Sequence, residues 1–99
     1  MAPTTDPRTA AAEKLTQLMT LLQAHKNDST AALIQECEAL ARAISAFHME
    51  GIRFRIFNVD RALARPATSA PAGAAALLEE VRHHLETAGF HTRSHQAPG

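Results

Sequence analysis

Six histidines, one cysteine and four closely spaced arginines are the groups through which this chain could do chemistry. His91 and His95 are four residues apart, as are Glu80 and His84, the spacing that brings metal ligands onto one helical face. A tight site needs three or four ligands held by outer partners. Adjacent His83 and His84 diverge by about 100° on a helix, and His91 and His95 lie beyond a helix stop at Gly89. Weak metal binding through the C-terminal histidines is therefore an alternative reading, and no cofactor or metal site is assigned. His25 and His48 are expected at the edge of the core.

Catalysis has little to rest on. Cys37 falls on an apolar stripe, where a free thiol behaves as a small hydrophobe. Its neighbours Glu36 and Glu38 are acidic, which disfavours a thiolate. Glu50 and His48 are two residues apart and point away from each other on a helix. Glycine-rich phosphate loops, nucleophile elbows and CxxC pairs are all missing from the sequence. The chain is expected not to be an enzyme.

Arg53, Arg55, Arg61 and Arg65 could face a phosphate backbone. Arg61 and Arg65 are one helical turn apart, but Arg53 and Arg55 diverge by about 200°. Acidic and basic residues balance at ten each, so no global attraction to nucleic acid or anionic membrane follows. Nucleic-acid binding through these arginines is thus an alternative rather than the leading expectation.

The element that must position these groups is the proline-free run from Ser29 to Arg65. Leu33, Cys37, Leu40, Ile44 and Phe47 follow helical steps, as do Met49, Ile52, Ile56, Val59 and Leu63 after a register change near Gly51. The favoured reading is one long, continuous or slightly kinked helix, about 55 Å at roughly 1.5 Å per residue. Charge agrees, with acid early in the run and base late, as one helix dipole would prefer. A rival reading ends the helix at Gly51 and makes 52–58 a strand, because Ile52 to Ile56 alternates apolar and basic.

Before this run, Asp6 and Pro7 start a first helix carrying Leu15, Leu18, Leu22 and His25 on one face. Asn27 is expected to end it, and Asp28 or Ser29 to cap the next. Residues 66–71 read as a linker, and residues 1–5 and 91–99 as flexible tails. A last helix, Ala72 to Ala88, should stop at Gly89 with Phe90 folding back towards Leu85. It is expected to pack on the far half of the long helix, with Glu79, Glu80 and Glu86 facing the arginines.

The 21 alanines favour helix. The fold class expected is therefore all-α, a single domain over 1–99 built as an antiparallel hairpin with a long central helix and a third helix packed on it. The alternative is α+β. So small and core-poor a chain is expected to self-associate as a homodimer. A continuous helix carries two apolar stripes, with Phe47 and Phe54 on a different side from Ile52, Ile56 and Val59. The stripe left uncovered by the other helices meets a second copy, so the interface is sought among Phe47, Ile52, Phe54, Ile56, Val59 and Leu63. A non-catalytic interaction or regulatory module with a protein partner is the function expected. No signal-like or membrane-spanning apolar run is found, so the expected compartment is cytoplasmic.

Overall fold

The computed structural model describes residues 6–65 and 70–90. They form four helices, α1 (Pro7–Ala24), α2 (Asp28–Ser45), α3 (Met49–Ala64) and α4 (Ala74–Thr87). Among the described residues there is no strand, so the chain is all-α and residues 52–58 lie within α3. The expected tails, and residues 66–69 of the linker, lie outside the described residues.

Each boundary has a local cause. The Thr9 amide donates to Asp6 Oδ2 at 3.2 Å, and Pro7 occupies the first turn of α1. Asn27 does not end α1 in a left-handed conformation. It is extended and caps α2 through a reciprocal pair: the Thr30 amide donates to Asn27 Oδ1 (2.9 Å) and the Asn27 amide to Thr30 Oγ1 (2.7 Å). Thr30 is buried by this arrangement. His25 is the exposed C-cap of α1 rather than an edge of the core.

The long central helix is divided. Its break falls at Ala46-Phe47-His48, not at Gly51, and Phe47 takes φ 56°. The left-handed conformation costs a non-glycine residue about 1–2 kcal/mol. Folding back at this point lets both apolar stripes share one core with α1 and α4. Ile52, Ile56 and Val59 become fully buried, each worth roughly 1.5–3 kcal/mol, which exceeds the backbone cost. The charge gradient fits two dipoles as well as one. Asp28 and Arg42 bracket α2, and Glu50 and Arg61 bracket α3.

The core is continuous. Ala11, Leu15, Leu18 and Leu22 of α1 meet Leu33, Cys37, Leu40 and Ile44 of α2, the buried Ile52, Ile56 and Val59 of α3, and Ala74, Leu78, Val81 and Leu85 of α4. The closest pairings are α1 with α4 and α2 with α3. The last helix therefore packs chiefly on α1, not on the arginine-bearing segment as expected. Lys14 and Glu80 mark that pairing at 2.9 Å. The smaller α3–α4 contact is bridged by Arg82, which is only 4% exposed and lies 3.5 Å from Asp60 and 3.4 Å from Glu79.

Candidate functional site

One end of the molecule gathers the start of α1, the end of α2, the start of α3 and the end of α4. The ending of α2 is built by two backbone bonds. The His48 amide donates to the Ala43 carbonyl and the Phe47 amide to the Ile44 carbonyl, both at 3.1 Å. This six-to-one, five-to-two pattern is a Schellman motif, whose left-handed position normally carries glycine. Here it carries Phe47, and the side chain is 62% exposed. His48 then starts α3, its Nδ1 accepting from the Gly51 amide at 2.8 Å.

Gly51 sits where neither sequence reading had it, in the first turn of α3. A Cβ there would lie 2.7 Å from His48 Nδ1, so the missing side chain admits the cap. The same contact occupies His48, which is an exposed helix cap and not a core-edge group.

Around Phe47 the surface is shaped. Arg8 lays its guanidinium carbon 3.7 Å from the ring centroid and donates through Nη1 to the Ile44 carbonyl at 3.2 Å. That carbonyl belongs to the last turn of α2, where a cation is favoured. Phe90 stands 6.5 Å from Phe47, centroid to centroid. Asp6, Arg8, Phe47, Met49, Gly89 and Phe90 are among the residues lining an open cavity of about 810 Å³. Met49 is 40% exposed, and Phe54, further along α3, is 56% exposed beside Glu50, Arg53 and Phe57.

The residues expected at a partner interface thus separate. Ile52, Ile56 and Val59 are buried inside the chain's own core, and Leu63 is half-buried against it. Phe47 and Phe54 face outward. Met49, on an apolar stripe but absent from the expected interface, joins them.

The arginines separate too. Arg53 pairs with Glu50 at 2.9 Å and Arg55 lies 4.0 Å from Glu36. Their expected partners are engaged elsewhere, Glu80 by Lys14 and Glu79 by Arg82. The Lys14 ammonium, by hydrogen bond and charge, holds the exposed Glu80 carboxyl below its ordinary range. Arg61 and Arg65 line a smaller cavity at the far end of the α2–α3 pair.

Cys37 is buried in the core, and desolvation, reinforced by Glu36 and Glu38, pushes its thiol up to about 12. The rings of His83 and His84 are 5.6 Å apart and inclined by 60°. His91 and His95 lie outside the described residues. Among the described residues no group of three metal-ligating side chains converges, and no helix is long and apolar enough to cross a membrane. No family model, curated protein or solved structure matches the chain.

Proposed function

We propose that this chain is a non-catalytic interaction module that self-associates through the corner built around Phe47. The observation that carries the reading is the left-handed, exposed Phe47 itself. Glycine would make the same turn without strain, and an exposed phenyl ring contributes little to the core. Backbone strain retained beside an open apolar cavity is a reason to look for function there. The ring is also held in place by Arg8, so little side-chain entropy is lost when it becomes buried.

A second copy is the occupant that fits. The cavity wall carries an acid, Asp6, and a base, Arg8, flanking apolar Phe47 and Met49. A surface with both signs around an apolar centre is self-complementary under two-fold rotation, which sets the acid of one copy against the base of the other. A protein partner of similar chemistry would use the same surface. A cytoplasmic setting belongs to the proposal and accords with a free thiol at Cys37. Catalysis is not proposed, since the Cys37 thiol is buried and protonated and the His48 acceptor is a helix cap.

Sedimentation equilibrium tests this. The native chain should sediment as a dimer at tens of micromolar, and Phe47→Gly should sediment as a folded monomer. A native monomer at that concentration refutes self-association, and a Phe47→Gly dimer refutes the corner as its site.

A further inference from the structure

The far end of the α2–α3 pair carries a second, chemically different feature. Ser29, Glu36, Asn58, Arg61 and Arg65 are the polar residues among those enclosing a cavity of about 240 Å³. Asn58 and Arg61 are three residues apart on α3, and Arg65, the cap just past its end, follows four residues later, so the three line the same recess. Among the described residues neither Arg61 nor Arg65 has a carboxylate partner, in contrast to Arg53 and Arg55. The Arg61 guanidinium carbon lies 5.5 Å from the Phe57 ring centroid, a contact that orients the group and leaves its N–H donors available. Asn58 adds an amide and Ser29 a hydroxyl.

The geometry points to a binding site for a compact oxyanion of the phosphate type, held by Arg61 and Arg65. Two guanidinium groups one turn apart can each present a planar fork of donors to one tetrahedral anion. Ser29 belongs to the first turn of α2, whose dipole attracts an anion, but Arg61 and Arg65 stand at the C-terminal end of α3, whose dipole does not, so the two guanidinium groups carry the attraction. One acidic group opposes it. Glu36 shares the wall, and among the described residues its buried Oε1 accepts no hydrogen bond, the nearest cation, Arg55, standing 4.0 Å away; two cations, Arg61 and Arg65, face that one carboxylate. An extended polyanion is the poorer fit. Arg53 and Arg55, which would have to continue a basic track, face their own acids, and the two remaining arginines enclose a recess instead of a stripe.

The ligand's chemistry is that of free inorganic phosphate or of a small phosphate monoester. Both can be titrated into the ¹⁵N-labelled full-length chain at constant ionic strength, with chloride as the control. Saturable amide shifts are expected at Ser29, Asn58, Arg61 and Arg65. The dissociation constant should rise about tenfold or more in Arg61→Gln/Arg65→Gln, which removes two charge-assisted contacts, and should stay within about twofold in Arg53→Gln, whose charge faces Glu50. Tighter binding of glycerol phosphate than of inorganic phosphate would identify a monoester as the ligand, and equal binding would identify the free ion. Both results support the site. Shifts that chloride reproduces, shifts unchanged in the double variant while its spectrum stays folded, or binding of a DNA oligonucleotide weakened equally by Arg53→Gln and Arg61→Gln would overturn it.

Discussion

Two helices of this chain end in the same backbone motif, side by side, with opposite side-chain chemistry. At the end of α4 the Phe90 amide donates to the Leu85 carbonyl at 2.9 Å and the Gly89 amide to the Glu86 carbonyl at 3.0 Å. Gly89 takes φ 101°, and Phe90 turns back into the core. At the end of α2 the same pair of bonds is present, but the left-handed residue is Phe47 and the next is His48. One ending places glycine at the strained position and buries its phenylalanine. The other strains its phenylalanine, exposes it, and uses the following residue to begin a new helix. Identical hydrogen bonding therefore does not imply an identical role. The α4 ending serves stability, and the α2 ending carries a feature that stability alone does not explain.

Substitutions at the two endings should diverge accordingly. The largest effect is expected from Phe90→Ala, which removes a buried ring and should cost about 3 kcal/mol in urea unfolding. A loss below about 1 kcal/mol would mean that Phe90 does not close the core. Gly89→Ala comes next. Its added methyl meets no atom within 4 Å, so the expected loss of about 1–2 kcal/mol is conformational alone. An unchanged denaturation midpoint would count against the left-handed ending of α4.

At the other ending the effects should be small or reversed in sign. His48→Asp places a stronger cap and a negative charge at the start of α3, and a gain of about 0.5 kcal/mol in thermal stability is expected. A loss would indicate that the imidazole does more than accept from Gly51. Phe47→Gly should change stability least, within about 1 kcal/mol of zero. Relief of the left-handed strain offsets the loss of the Arg8 contact and of the nearby Phe90 ring. That measurement has to be made on the monomer, at concentrations below those at which the proposed dimer would form. A loss above about 2 kcal/mol would make Phe47 a structural residue and remove the main support for its proposed role. Ile56→Asp is no test of a dimer, because a charge there would lie unpaired in the chain's own core.

Much of the fold was legible in the sequence. Of the residues that helical spacing marks, Leu15, Leu18, Leu22, Leu33, Cys37, Leu40, Ile44, Ile52, Ile56 and Val59 are buried, whereas Phe47 and Met49, at the break between the two stripes, are exposed and Leu63 is half-buried. Asp6-Pro7 and Gly89-Phe90 announced their boundaries because those residue types have strong local preferences. The apolar stripe on which Cys37 falls, and secondarily its acidic flank, indicated the direction in which burial and the two glutamates displace its thiol. The candidate corner was only half legible. Helical spacing separates Phe47 and Phe54 from Ile52, Ile56 and Val59, but it does not say which of the two stripes is covered, because periodicity reveals which residues share a face and not what that face meets.

The sequence by itself determined that the chain is helical, which residues are apolar along each stripe, and where strongly preferring residues stop a helix. Those are local matters, fixed by φ/ψ preference and by spacing. Only the tertiary structure decided that the long central run folds in two at Phe47. No residue near 47 prefers to break a helix, and Gly51, which could have, instead leaves room for the cap of the next one. The break is stabilised by distant partners on α1 and α4, whose burial of Ile52, Ile56 and Val59 exceeds the strain at a single phenylalanine. The same packing paired α4 with α1 and set Arg53 and Arg55 against nearby acids. It left Arg61 and Arg65 around a recess that charge counting along the chain could not distinguish from a solvated helix face.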